Sequence, residues 1–443
     1  MSATGNQGVG GAQPTVPVYE RLPRGPHHID PEEVSRHQRA RLQLGMADSV
    51  AARGYVRTTV KHVLTVARVS RRAFYELYEN KQDCFLDTFD AIANRANEHV
   101  FATCESIEGD LAEHLLGALG ALASEVLEHP NDARLMFVEI GLAGPRGPRR
   151  VARVMTNYEH RLSERLDCDA PPVLVKAVCG AVRQSICMLV REQRVHELPE
   201  LNQRMLGWLL ALSDPAAAGV HALMRDSARE RVQAVKQCPV QTELARDDRE
   251  RLMMGALRVA QEVGISQMSG IHIADSAGLS LDAFLEHFSD NDQCLHEAME
   301  LTATRLLASL PEPKLETTSW PVQVCKSLSS LLAHLAGDQL LAWTIANAGY
   351  EIGAQGKDHD LELSRKVAAK ICAVIPAESV DEVVIEQIAG ALWHTIWCMH
   401  AAKRTHLLAA LDGYIAYLAL APIIGAEQAV AAIQETRSVS ALR

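Results

Sequence analysis

The sequence predicts an all-α protein, and three observations carry that prediction. Of 443 residues, 48% are hydrophobic but only 5% aromatic. Ala and Leu dominate, a composition that favours packed helices. Apolar residues recur at helical spacing, and period-2 alternation is scarce. Cap-type residues before apolar runs and Gly after them recur along the chain.

The elements follow in order. Residues 1–33 are rich in Gly, Pro and Thr and read as a disordered basic arm, with Arg21, Arg24, His27 and His28 near its end. A helix is expected from Pro31, capped by Asp30, to about Ala52, with Gly54 ending it. Thr59 caps a second helix whose Val60, Val63, Leu64 and Ala67 follow the i, i+3, i+4, i+7 rule. Arg68 and Val69 form a tight turn. Ser70 then caps a short third helix, Arg71 to Leu77, with Phe74 facing inward. Asn80 and Lys81 open a long fourth helix, and amphipathic helices continue to about Ser213. Residues 214–240 read as a connector.

A shift of 210 positions superposes the two halves. Arg41, Gly54, His62, Ala67, Ser70, Phe74 and Cys84 meet Arg251, Gly264, His272, Ala277, Ser280, Phe284 and Cys294. The same shift pairs Gly180 with Gly390 and His196 with His406. One register at both ends of a unit indicates tandem duplication. The expected organisation is 34–85 as a helix-turn-helix head, 86–213 as a larger helical domain, 241–295 as a degenerate head, and 296–443 as a second larger helical domain.

Charge separates the heads. The chain carries −11 overall. Residues 36–81 nevertheless hold ten Lys/Arg against Asp48, Glu76 and Glu79, a local net of +7. Residues 246–291 hold four Arg against eight acidic residues, a net of −4. Arg71, Arg72, Tyr75 and Lys81 become Leu281, Asp282, Leu285 and Asn291, while the apolar positions persist. The second head is therefore expected to keep its fold and lose its phosphate contacts, since an acidic face is repelled by DNA. Gly270 is expected to weaken its first short helix by about 1 kcal/mol relative to Ala.

Two short helices joined by a tight turn, the second basic at its start, form a helix-turn-helix. Its second helix can enter the major groove, where Arg71 or Arg72 could bond guanine edges. Tyr75 and Lys81 are placed to touch phosphates. The run Gly54-Tyr55, Thr58-Thr59-Val60, Ala67 through Tyr75, then Tyr78 and Lys81 resembles the signature of tetracycline-repressor (TetR) type regulators over some fifty residues. Arg68 departs from it, where that family usually has Gly. The resemblance implies a three-helix DNA-binding head and a larger helical domain for ligand binding and dimerisation. Two long helices per unit, here within 171–213 and 378–420, would pair into a four-helix bundle. The residues assigned to DNA are Thr59, Lys61, Arg68, Ser70, Arg71, Arg72, Ala73, Tyr75 and Lys81.

A ligand pocket is expected in the second half, where four of the five tryptophans lie. Its candidate residues are Trp320, His334, Trp343, Trp393, His394 and Trp397, with ordinary core packing as the alternative. The ten cysteines show no CxxC pair or zinc spacing, so neither metal nor cofactor is expected. No catalytic triad, carboxylate pair or phosphate loop can be assigned, so no enzymatic activity is expected. No signal-like start is seen, and the apolar stretch 407–425 is broken by Asp412 and Pro422. The expected protein is a cytoplasmic, ligand-responsive regulator, a repressor in its simplest form. Its expected partners are double-stranded DNA and an unknown small-molecule effector. An intrachain pseudo-dimer or a homodimer is expected, and no membrane. A helical module that pairs with another TetR-type subunit, or a helical enzyme, would be the competing readings.

Overall fold

A computed structural model describes residues 30–144, 146–166, 171–211, 214–236, 245–312, 318–348 and 354–441. Among these the chain is all-α, with no strand. The expected arm falls almost wholly outside them. Its last residue but three, Asp30, already caps α1 (Pro31–Arg57), accepting from the Glu32 amide. Gly54 sits within α1 at φ 76° and breaks its regular turn, so the helix resumes for a few residues beyond the expected stop.

Helices α2 (Val60–Ala67) and α3 (Arg71–Leu77) follow, each opened by the expected cap: Thr59 accepts from the His62 amide, and Ser70 from the Ala73 amide. Arg68, between them, has φ 53° and ψ 40°. That left-handed conformation normally costs a non-glycine residue. Arg41 donates to the Arg68 carbonyl at 2.8 Å and helps hold it. At the equivalent turn 210 residues later Gly278 takes φ 67°, and Arg251 reaches the Ala277 carbonyl at 2.9 Å.

The long α4 (Lys81–Ser106) ties the head to the body. Its Asp87 accepts from the Tyr78 hydroxyl at 2.6 Å and the Gln43 amide at 2.9 Å, and pairs with Arg39. Phe74, Phe85 and Phe89 are buried beneath that network. Each large side chain so buried is worth about 1.5–3 kcal/mol.

The body continues with α5 (Leu111–Glu128), α6 (Pro130–Ala133), a π-helical turn Arg134–Val138 running into a 3-10 turn Glu139–Leu142, α7 (Arg146–Leu166), α8 (Pro172–Arg191), α9 (Leu198–Leu210) and α10 (Pro215–Lys236). The expected connector is thus a full helix. Ala217, Val220 and Met224 of α10 are buried, and Arg231 pairs with buried Asp412 of the second half. The sequence predicts a charged helix within that connector. What makes it a structural helix is a bed of apolar side chains supplied by distant sequence.

The second half runs α11 (Asp248–Val263), α12 (Gly270–Ala277), α13 (Leu281–His287), α14 (Asn291–Ser309), α15 (Trp320–Gly337), α16 (Gln339–Trp343), a π-helical turn Thr344–Ala348, α17 (Ala354–Cys372), α18 (Glu382–Ala401), α19 (Asp412–Ile424) and α20 (Ala426–Ala441). Ser269 and Ser280 cap α12 and α13 as Thr59 and Ser70 cap their counterparts. Leu252, Ile273, Phe284 and Phe288 form the core of this head. Gly270 has a packing role: a Cβ there would lie 2.9 Å from the Phe284 ring, so its absence lets α12 and α13 close together.

Helices α8 and α18 are the most intimate pair. A Cβ on Gly180 would stand 2.8 Å from the Gly390 carbonyl oxygen, and one on Gly390 would stand 2.7 Å from that of Gly180. Two glycines 210 residues apart in sequence therefore meet at the crossing. Residues Pro172–Arg191 are long and apolar enough to cross a membrane, but 67% of that stretch is buried inside the chain.

Candidate functional site

Three places concentrate chemistry: the outer face of the first head, a cavity beneath it, and a polar cluster where α8 meets α18.

On the head, Arg71, Arg72 and Tyr75 project from α3 into solvent. Arg72 is 90% exposed and pairs with Glu76 at 2.8 Å. The Arg71 guanidinium lies 5.7 Å from the Tyr75 ring centre, and Tyr75 is 48% exposed. Both arginines are thus pre-oriented yet free to exchange weak partners for base or phosphate oxygens. Lys61 is exposed at the start of α2, and Arg68 is exposed at the turn. Thr59 and Ser70 already spend their hydroxyls as caps.

Two of the expected DNA residues need revision. Ala73 is only 6% exposed and faces the core of the head, so its side chain offers nothing to DNA. Lys81 is half-buried. Its ammonium donates to the Tyr55 carbonyl at 2.9 Å and sits 4.1 Å from the Tyr55 ring centre. Burial pushes its pKa down. It clamps α4 to the end of α1, and any pull on phosphate comes second to that role.

Tryptophan and histidine content leads to the expectation of a pocket in the second half; one cavity lies in the first half. A cavity of about 420 Å³ opens between α4, α5, α7 and α8. Phe89, Phe101, Leu119, Met136 and Ile186 line it, with Arg161, Arg183, Glu105 and His114 at polar positions. Tyr158 lines it too, and its buried hydroxyl has no hydrogen-bond partner among the described residues. Burial raises that hydroxyl's pKa well above the usual range, so it is neutral and able to donate. Burial likewise pushes the Cys179 thiol beside it up to about 12.

None of the six expected pocket residues lines this cavity. Trp343 is buried in the core of the second head. Trp320, Trp393 and Trp397 pack against the main core. His334 bonds its own helix through the Ser330 carbonyl at 2.8 Å. Aromatic content finds mass, whereas a cavity is a deficit of mass between helices that only their packing reveals.

His394 takes part in a different site. It lies on α18 against Gly180, and its Nε2 is 3.2 Å from Glu159 Oε1 and 3.5 Å from Cys398 Sγ. Lys176 of α8 pairs with the other Glu159 oxygen. Burial disfavours the charged imidazole, but its bonds to Cys398 and Glu159 outweigh that and bring its pKa to about 9. Burial also opposes the Glu159 carboxylate, yet His394 and Lys176 hold its pKa below the ordinary value. Glu159, His394 and Cys398 offer atoms within 4.8 Å of one another. The ammonium of Lys176 already pairs with the Glu159 carboxylate, so the cluster reads as an ion-paired seam.

This seam carries a pH prediction. An imidazole with pKa about 9 when folded and about 6.5 when unfolded stabilises the fold fully below pH about 6.5. That stabilisation, on the order of 3 kcal/mol, is lost as pH rises toward and through 9. Denaturant unfolding at pH 6.5 and pH 9.5 should show the wild type losing more stability than His394→Gln over that interval. Equal losses would remove His394 from the account.

Pattern reading missed the buried Glu139. It accepts from the Tyr55 amide at 2.9 Å and pairs with Arg134 at 3.2 Å. It follows Met136 and Phe137, which line the cavity, so one short turn touches both the pocket and the end of α1. The signal was present as a lone carboxylate in the apolar run Leu135–Leu142. No protein-family model matches the chain, and no curated protein matches its sequence.

Proposed function

We propose that the chain is a ligand-responsive, DNA-binding transcriptional regulator of the TetR type, acting in its simplest form as a repressor. The observation that carries this reading is the outward display of Arg71, Arg72 and Tyr75 on a capped helix of a +7 head. The same three-helix arrangement 210 residues later has lost those groups. In this reading the first head reads DNA and the second head does not. The meeting of Gly180 with Gly390 supports an intrachain pseudo-dimer, in which one chain supplies both sides of the pairing interface. A single basic head contacts few phosphates, so two chains would assemble on two half-sites roughly 34–36 Å apart.

The cavity supports an effector with an apolar body and one hydrogen-bond acceptor for Tyr158. Filling it would press on Met136 and Phe137, and so on Glu139, which holds the Tyr55 amide where α1 turns at Gly54. An effector that prefers one setting of that turn shifts the head by its difference in affinity for the two settings. Selection from a random duplex pool supplies the operator, and an apolar compound library screened by thermal shift supplies the effector. On that operator, Glu139→Gln should keep DNA binding within a few-fold while cutting the effector's influence on it at least several-fold. Undiminished coupling in Glu139→Gln would place the transmission elsewhere. Failure to select any duplex would sink the reading itself.

A further inference from the structure

The positions that make the first head basic have been refilled with something specific in the second. Where the first head carries Arg53, Lys61, Arg71 and Tyr75, the second carries Val263, Ile271, Leu281 and Leu285. These four are exposed by 44%, 56%, 40% and 59%, and all are on the outer surface. Loss of DNA binding alone would leave such positions free to take any soluble side chain, and small or polar ones carry no penalty there. Large apolar side chains in water do carry one, and a group of them on a polar surface marks an interaction site.

Three of the four lie on two helices that pack together, Ile271 on α12 and Leu281 and Leu285 on α13. Leu281 and Leu285 are one turn apart on α13 and share a face. A Cβ on Gly270 would lie 3.4 Å from the Leu281 Cδ1, so Leu281 rests against the start of α12, the helix that carries Ile271. Asp275, Asp282, Glu286 and Asp290 lie on or beside the same two helices, within a head of net −4. An apolar centre with an acidic surround repels duplex DNA and anionic lipid alike. It complements a segment of opposite charge that brings apolar anchors of its own.

We propose that the outer face of α12 and α13 is a docking surface for a segment of another protein, basic and amphipathic, with two or three large apolar side chains flanked by Lys or Arg. The second head thereby becomes a recruiting arm, and the first remains the DNA reader. This goes beyond the regulatory reading and stands without it, because the surface does not involve Arg71, Arg72 or the cavity.

The test uses the full chain and a fluorescein-labelled 18-residue peptide of alternating Leu and Lys arranged for a helix, read by anisotropy. Controls replace its Lys by Glu or its Leu by Ser. Saturable binding is expected, weakening with salt and falling at least tenfold in the Leu281→Ser, Leu285→Ser protein. Circular dichroism and the unfolding midpoint of that variant should match wild type, since both side chains are exposed. The Arg71→Ala, Arg72→Ala protein should bind the peptide as wild type does. Equal peptide affinity in the Leu281→Ser, Leu285→Ser protein overturns the proposal, as does equal binding of the Glu peptide. Sedimentation velocity supplies a further outcome: wild-type self-association abolished by the two serines, with peptide binding untouched, would make a second copy the occupant and overturn it too.

Discussion

The Arg71→Ala, Arg72→Ala double variant is expected to lose sequence-specific DNA binding almost entirely. A side chain that reads a base is worth about 1–3 kcal/mol. If both read bases, the double change costs about 2–6 kcal/mol, a factor of roughly thirty to roughly twenty thousand by the tenfold-per-1.4 rule. The folded state should not suffer. Arg72 is 90% exposed and pairs with exposed Glu76 one turn on, an interaction worth little. Arg71 touches Tyr75 on the surface. Retardation of the selected duplex should vanish while helix content and unfolding midpoint hold. The residual binding should be non-specific and strongly salt-dependent, carried by Lys61, Arg53 and Arg57. Full-strength, sequence-specific retardation by the double variant would remove α3 as the reading helix. Lys81→Ala differs in kind: its bond to the Tyr55 carbonyl makes it a stability change as well as a loss of charge.

Gly390→Val is expected to destabilise the whole fold, by at least the 1–3 kcal/mol typical of forcing extra methyl groups into a tight contact. The reason is local and geometric. A Cβ there would meet Gln184 Cβ at 2.5 Å, the Gly180 carbonyl oxygen at 2.7 Å and Ala181 Cα at 2.9 Å. Two of those three are backbone atoms, so no rotamer change relieves the clash. The helices must move apart, and the seam polar pairs with them: His394 with Glu159, and Gln184 with Glu386 at 3.3 Å. Gly180→Val meets His394 Cβ at 2.3 Å and should behave alike. Gly120 provides the control. It lies mid-helix in α5 with nothing within 4 Å of its Cβ position, so Gly120→Ala should stabilise by about 0.5–1 kcal/mol. Denaturant titration reads all three. A Gly390→Val protein as stable as wild type would show that α8 and α18 do not pack as described.

Local signals were legible without coordinates. The caps Asp30, Thr59 and Ser70, the turn at Arg68 and the inward Phe74 each depend on a few neighbouring residues, and sequence states those neighbours directly. The 210-residue register and the opposed charges of the two heads were legible for the same reason: both are properties of the letters. Gly180 and Gly390 could be matched as equivalents, but nothing local said that they touch.

What required the folded chain is whatever depends on distance between residues far apart in sequence. Ala73 follows two arginines yet turns inward, because a helix face is chosen by what packs against it. The stretch expected to link two domains became α10, because Asp412 and the apolar side chains beneath it come from residues nearly two hundred positions away. The cavity formed in the first half, away from the tryptophans, because empty volume is set by how helices fail to meet. His394 belongs to an ion-paired seam with Glu159, 235 residues earlier, whose chemistry neither residue announces alone. Periodicity and capping are short-range physics and survive in one dimension; burial, cavities and buried charge are long-range and exist only in three.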